Sequence, residues 1–509
     1  MPRRHVQLHA RPPQEAQGES VDALVRRGLD DLRHELDVPA DFPPDVLAEA
    51  TAAAAGEPTG ERLDATDVAF VTIDPEGSRD LDQAVHVERL GDGFRVRYAI
   101  ADVAAWVRPG GAIDREARGR VETLYAPDGR TPLHPPVLSE GVASLLPDQV
   151  TPALLWTIDL DATGEPGEVT VRRAAVRSRA QLTYVGAQAA LDDGTADESL
   201  QLLREVGLLR EAAERARGGI TLPTPEQVVE QGPDGVWTLG SRATLPVEEW
   251  NAQISLLTGM CAARLMLDGR VGVVRTLPDA DPRDVERLRL SASALGVPWP
   301  TGTTPGDVIR DLDAADPAHA ALLTDATTLL RGAAYVAFDG DRPAAVMHAA
   351  IAAPYAHTTA PLRRLVDRFV GETCVALCAG EPVPAWVRDA LPELPGLMAS
   401  GDKRAAEFER GCLDLVEAAL LTGRVGEVFE GAVVDVRADR DAGVVQLRDP
   451  AVRGRIEGVQ LPLGEHVRVR LTHASVPDRQ VRFELAEPQA DAAPTSAGDP
   501  EPTPNRVRR

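Results

Sequence analysis

Apolar residues along this chain change their period twice. In VDALVRRGLDDLRHEL, residues Val21, Leu24, Val25, Leu29, Leu32 and Leu36 recur at helical spacing, which predicts an amphipathic helix. PDVLAEATAAAA predicts a second, short helix that stops before Gly56. At Asp67 the alternation becomes that of strands. DVAFVTID, LDQAVHVERL and FRVRYAIADV follow one another, with Pro75 and Gly77 in the first connection and a GDG turn in the second. ALLWTIDLD and EVTVRRAAVRSRAQLTY extend the sheet, and from VEEWNAQISLLTGMCAARLML helices dominate to residue 424. Past Gly426 the strand period returns in EVFEGAVVDVRAD, AGVVQLRD, GRIEGVQL, HVRVRLTHAS and QVRFELAE, five short strands that suit a small OB-type barrel.

The expected fold class is α+β. Residues 1–62 form a short helical N-terminal region whose first twenty residues are polar and disordered. A large mixed α/β domain covers 63–424 and a barrel covers 425–487. Residues 488–509, rich in Ala, Pro, Asp and Thr, read as a disordered tail, and no internal repeat is present.

Composition narrows the function classes. Hydrophobic residues make up 43% of the 509 and aromatics 4%, so cores rich in Ala, Val and Leu are expected. With 54 basic against 79 acidic residues the net charge is -25, which argues against a protein that coats nucleic acid with a basic surface. A deep site with a local basic lining stays open. Cys261, Cys374, Cys378 and Cys412 form no CxxC pair, so reduced core thiols are expected. The basic start lacks the apolar stretch of a secretory signal, and no run of about 18 apolar residues exists to span a membrane. The expectation is a soluble cytoplasmic protein.

The candidate chemistry lies in TIDPEGSRDLDQA, which holds Asp74, Asp80 and Asp82. Asp80 and Asp82 alternate at the start of a strand and so share a face, and the loop can fold Asp74 back toward them. Converging carboxylates repel, which raises the pKa of at least one unless a cation is bound. Oxygen-only ligands favour magnesium or manganese over zinc. The bland alternative is a solvated acidic turn, and spacing alone leaves both readings open.

TIDPEGSRDLDQA followed by YAIADVAAWV resembles the signature of the ribonuclease II (RNB-domain) family of 3′-to-5′ exoribonucleases. That signature carries an Asp, five residues, an Asp, one residue, then Asp-Asp. Asp74, Asp80 and Asp82 match its first three acidic positions, and Gln83 stands at the fourth. A glutamine oxygen can coordinate a metal but carries no charge. The resemblance implies metal ligands at Asp74, Asp80, Asp82 and Gln83, with activity depending most on Asp82. LYAPDGRTPLHPPVLSEGVASLLPD resembles the following family segment and places Tyr125 as an aromatic stacking on the RNA 3′ end. Tyr184, Glu249 (or its neighbour Glu248), Arg275 and Tyr355 match further RNA-binding positions. YAHTTAPLRRLVDR resembles a second motif, here Tyr355, Pro361, Arg363 and Asp367. Its arginine implies stabilisation of the scissile phosphate, a task suited to a guanidinium; Arg363 matches best by spacing, with Arg364 in reserve. His348 and His357 flank this motif and receive no catalytic role.

The resemblance covers residues 65–425, and the C-terminal barrel resembles the family's OB-type RNA-binding domain, with Phe429 and Phe483 as its stacking candidates. The first sixty residues have no room for the N-terminal cold-shock barrels of the long bacterial members. The implied activity is magnesium-dependent hydrolysis of single-stranded RNA from its 3′ end to nucleoside 5′-monophosphates, by a monomer with no obligate protein partner. The competing reading is an RNA-binding protein that kept the fold and lost hydrolysis. A metal-dependent phosphodiesterase acting on DNA or small nucleotides is a third, against which stands the lack of a histidine-rich ligand set.

Overall fold

The computed structural model describes residues 21–486 apart from residues 59, 223–225, 232–236, 243 and 438–440. The stretches expected to be disordered, 1–20 and 488–509, lie outside the described residues.

The strand-period region closes into a five-stranded barrel. Strands β1 (Leu63–Asp74), β2 (Gln83–Leu90) and β3 (Gly93–Ala101) form an antiparallel meander. A hairpin, β4 (Leu124–Ala126) and β5 (Gly129–Thr131), interrupts it, and β6 (Val150–Leu160) and β7 (Pro166–Thr183) complete the wall. β7 closes the barrel by pairing parallel with β1, in a register that sets Asp74 against Thr183. Alternation explains the wall: Phe94, Val96, Tyr98, Trp156 and Ile158 are buried to 1% exposure or less, with polar residues between them.

Helices cover this barrel. The helix Pro246–Gly269 packs across it, and the Tyr98 hydroxyl meets Ser255 Oγ at 2.8 Å. The helix Leu365–Ala379 is buried along most of its length. Its interior includes Cys374, and all four cysteines are free thiols, as expected.

The N-terminal helix is built into the body of the protein. Val21–Glu35 packs against the helix Leu394–Leu421, and the two approach so closely at Gly28 and Gly411 that added β-carbons would fall 2.2 Å from Leu415 and 2.8 Å from Leu32. Leu29, Leu415, Val433 and Phe483 belong to one apolar core, which joins this helix to the C-terminal barrel. Arg33 pairs with Asp128 at the turn of the β4–β5 hairpin, and Arg479 Nη2 reaches Glu35 at 2.6 Å.

The C-terminal barrel is closed and OB-like, from strands Val428–Arg437, Ala442–Leu447, Arg453–Glu457, His466–Ser475 and Gln480–Leu485. Phe429 and Phe483, expected as stacking candidates, are 6% and 1% exposed and meet edge to face inside its core. Neither presents a face to a base, so that expectation is corrected: with few aromatics in the chain, these two close the barrel. Among the described residues, no helix is long and apolar enough to cross a membrane.

Candidate active site at the end of the first barrel

The site forms where β1 and β7 end side by side. Their parallel register carries Asp74 to the barrel rim, and Tyr184 follows Thr183 into the next helix. Thr183 caps that helix by accepting from the Gly186 amide at 3.0 Å. The loop after Asp74 turns at Gly77, whose φ of +80° is readily adopted only by glycine. Ser144, fully buried, then fixes it: its hydroxyl donates to the Arg79 carbonyl at 2.6 Å and accepts from the Leu81 amide at 2.9 Å. β2 begins at Gln83, so Asp80 and Asp82 lie in this extended loop and precede the strand. They do not share a strand face as expected; the anchoring of the loop by Ser144 positions them.

The second motif arrives from across the chain. The Leu362 amide donates to Asp82 Oδ1 at 2.7 Å, and Arg363 Nε donates to Asp82 Oδ2 at 2.6 Å, joining residues 281 positions apart. Asp82 is wholly buried, while the Arg363 side chain keeps 36% of its accessible surface. The neighbouring Arg364 has a different task. It grips Asp367 through Nε at 2.5 Å and Nη2 at 2.8 Å, and Asp367 also accepts from the Ala360 amide at 2.8 Å. Arg364 thus braces the segment, and Arg363 is presented by it.

Other bonds fasten the same segment. The Thr123 amide donates to the Arg363 carbonyl at 2.9 Å and the Leu365 amide to the Val121 carbonyl at 2.9 Å. Val121 itself sits at φ +70°, a strained place for a β-branched residue. Buried His134 bonds the Pro361 backbone, and burial drives its pKa down to about 3, so it serves as a neutral prop. Gln83 Nε2 donates to the Thr359 carbonyl at 2.5 Å. An aspartate there would lose that bond and set a carboxylate against a carbonyl.

Charge in the site is tightly balanced. Burial pushes Asp74 up to about 6, with Arg363 opposing and Asp80 adding to the rise. Burial likewise raises Asp82, against Arg363 and the Leu362 amide and with help from Asp80. The expected rise is present, but desolvation contributes more to it than mutual repulsion does. Arg363 is held firmly protonated: burial pulls its pKa down, but Asp82, Tyr125 and Asp80 more than compensate. The Tyr125 side chain hydrogen-bonds Arg363, and burial raises its phenol. Tyr184 bonds Asn251 and lies within electrostatic reach of Asp74, burial raising it to about 12.

Arg130 completes the cluster and is absent from the sequence-derived set. It pairs with Asp80 through Nη1 and with Glu140 through Nη2 at 2.7 Å. A signal for it existed: the DG turn in APDGRT predicts a hairpin, and the residue opposite Tyr125 in that hairpin is Arg130. Ser144 and His134, both within the segment that resembles the family, act from behind as positioning residues.

The remaining candidates lie apart from the carboxylates. Arg275 pairs with Asp402 at 2.8 Å and stacks on the Tyr335 ring at 4.4 Å. Tyr355 is 8% exposed and meets His348 and His357 edge to face. Glu249 is exposed in the first turn of Pro246–Gly269, where burial and then Glu248 and Glu214 raise its pKa. Glu248 caps that helix, accepting from the Leu245 amide at 3.0 Å, and pairs with Arg242.

The donor set fits a hard divalent cation. Asp74 Oδ2 is buried with no hydrogen-bond partner among the described residues, and the other candidates are oxygen donors. As the side chains stand, no group of three or more His, Cys, Asp or Glu among the described residues is gathered closely enough to hold a metal ion. Asp80 and Asp82 are turned toward Arg130 and Arg363.

Residues 62–377 match the RNB domain, and residues 427–486 match the RNase II-type exonuclease C-terminal S1 domain. Ribonuclease R of Escherichia coli (strain K12) is 25% identical over 483 residues, covering 86% of this chain and 58% of that protein. Ribonuclease R of Aquifex aeolicus is 28% identical over 514 residues, covering 92% of this chain and 70% of that protein. This chain therefore spans less than two thirds of the Escherichia coli relative. Among solved structures, Mycoplasma genitalium RNase R in complex with ribose methylated single-stranded RNA superposes with a TM-score of 0.81 at 18% identity, covering 91% of this chain and 78% of that one. Yeast Ssd1, a pseudonuclease, gives 0.65 at 15% identity, covering 87% of this chain and 57% of that one. Such likenesses at low identity concern the fold alone. The RNB match takes in more than half of the 509 residues and contains both halves of the site, Asp82 and Arg363, so this chain belongs to the RNB-domain family.

Proposed function

We propose that this protein is a hydrolytic 3′-to-5′ exoribonuclease that degrades single-stranded RNA to nucleoside 5′-monophosphates with magnesium or manganese. The observation that carries this reading is the contact of Arg363 with Asp82, which unites the two motifs in one site. The similarity to proteins named Ribonuclease R supports it.

Asp74, Asp80 and Asp82 would hold the metal, with the Gln83 carbonyl oxygen as a neutral fourth donor. When bound, the ion supplies charge neutralisation at the phosphoryl oxygens and makes water a better nucleophile. The partly exposed Arg363 receives the scissile phosphate and takes up the charge that grows on it in the transition state. Tyr125 stacks on the terminal nucleotide, and its hydroxyl keeps Arg363 in place. Tyr184 lines the Asp74 side. Arg275, Tyr355 and Glu249 contact RNA farther from the scissile bond, Tyr355 as part of the wall. One chain supplies the whole cluster, which supports a monomer, and the cytoplasm is the compartment we assign to it.

The test uses 5′-labelled single-stranded RNA with magnesium, beside an Asp82→Asn variant. A ladder shortened from the 3′ end, present for the native protein and absent for the variant, is the expected outcome. DNA cleaved as fast as RNA would overturn the substrate assignment. A second reading, RNA binding without hydrolysis, draws on Gln83 and on the likeness to a pseudonuclease. Binding with no cleavage by the native protein would establish it instead.

A further inference from the structure

Arg130 is the cation in this site that neither motif supplied. It stands on the β4–β5 hairpin directly across from Tyr125 and bridges Asp80 to Glu140. Arg363 pairs with Asp82, Nε to Oδ2 at 2.6 Å. Two of the three candidate metal ligands are therefore already neutralised by guanidiniums of the same chain. Asp74 keeps a buried oxygen without a hydrogen-bond partner among the described residues.

We infer that Arg130 and Arg363 hold Asp80 and Asp82 in a metal-excluding arrangement that an RNA phosphate releases, so that divalent metal and RNA phosphate bind with positive cooperativity. This rests on the proposed nuclease function. A guanidinium already on a carboxylate reduces the charge that carboxylate can offer a divalent cation, so the two compete for Asp80 and for Asp82. A phosphate offers each arginine another anion of matching geometry, and its arrival leaves the aspartates to the metal. The bound metal in turn leaves the arginines to the phosphate. Linkage requires the two effects to be equal.

Glu140 sets the balance. It shares Arg130 with Asp80, so part of the guanidinium is already drawn away from the metal ligand. Arg79 lies 3.7 Å from the other oxygen of Glu140 and offsets some of that pull. Gln83 strengthens the dependence on phosphate, because the neutral side chain adds no charge to attract a metal to the free protein. Arg130 is thus a positioning residue that acts on the metal through Asp80.

The readout is metal affinity, taken without turnover. Manganese binding to the full chain is measured by calorimetry or electron paramagnetic resonance, with and without saturating uridine 5′-monophosphate. In the native protein the nucleotide should tighten manganese binding about tenfold, a typical coupling between sites. Arg130→Gln should tighten manganese binding to the free protein severalfold and shrink the effect of the nucleotide. Glu140→Gln should weaken it, because Arg130 then turns fully to Asp80. Variants that merely loosen the fold would shift together, and a shift in the same direction overturns the inference. So does a manganese affinity in Arg130→Gln equal to that of the native protein under both conditions. If the native protein cleaves RNA yet binds manganese independently of the nucleotide, this inference fails while the nuclease assignment stands. If it binds no manganese under either condition and cleaves nothing, both fail.

Discussion

Among the described residues stand two closed five-stranded barrels, and the ion pairs at the rim of the first differ in burial from those on the second. An odd number of strands cannot alternate in direction all the way round, so each barrel includes a parallel pair. In the first it is β1 with β7, and their adjacent ends bring Asp74 and Tyr184 to one rim. In the second it is Arg453–Glu457 with Gln480–Leu485, which sets Arg455 beside Arg482 and Glu457 beside Glu484. At the rim of the first barrel, the carboxylates of Asp82 and Asp367 are fully buried and each is paired with an arginine. On the second, Arg455 and Glu457 are 3.5 Å apart with more than half of each side chain exposed. Water screens that pair until it contributes almost nothing. The helices packed around the first barrel exclude water, and there each charge depends on its partner. Closure alone makes no site; the enclosing helices and the segments they carry do.

The largest expected effect breaks the buried pair that does no chemistry. Asp367→Ala leaves Arg364 unpaired and releases the Ala360 amide, and should cost about 3–5 kcal/mol in denaturant unfolding. A loss below about 1 kcal/mol would mean that water reaches this pair as it does those on the second barrel. Next is Asp82→Asn, which should lower kcat about 10²–10³-fold, or about 2.7–4 kcal/mol, with RNA still bound, as judged by single-turnover kinetics and filter binding. Equal loss of binding would make Asp82 a scaffold residue only.

Metal addition comes third. At about 100 times its Kd a divalent ion should stabilise the chain by about 2.7 kcal/mol. Hydrogen exchange should slow in residues 74–83 and 358–364 and stay unchanged in the second barrel. Uniform slowing in both would place the ion elsewhere. The smallest effect is the control: Glu457→Gln should change stability by less than about 0.5 kcal/mol and leave cleavage intact. A larger change would show that charge on the second barrel is better shielded than its exposure implies.

Much of the site was legible because its residues come in short, regularly spaced strings. Asp74, Asp80, Asp82, Tyr125, Tyr184 and Arg363 were named from such strings, and the structure gathers them at one rim. Spacing preferred Arg363 over Arg364 through the resemblance alone. The physical distinction appears only in their partners, Asp82 for one and Asp367 for the other. Arg130, Ser144 and His134 escaped because each acts on a residue at least fifty positions away or through a backbone atom. For Arg130 the DG turn could place the residue opposite Tyr125 but not its partner Asp80, and for Ser144 and His134 no local pattern records the contact. Phe429 and Phe483 show the opposite failure: an aromatic in a strand looks the same whether it faces a ligand or the core.

Periodicity and turn residues by themselves determined the first helices and strands, the α+β class and the return to short strands after Gly426, since those depend on neighbours a few positions apart; the helix Glu198–Arg217 was not among the elements read. The motif strings determined which carboxylates to consider and marked Gln83 as the neutral member. Tertiary structure decided the rest. It closed the barrels, set Asp74 beside Tyr184, drew Arg363 onto Asp82 across 281 positions, and placed Arg130 on Asp80. Whether a carboxylate meets water, an arginine or a metal is fixed by what encloses it, and enclosure is a property of the folded whole.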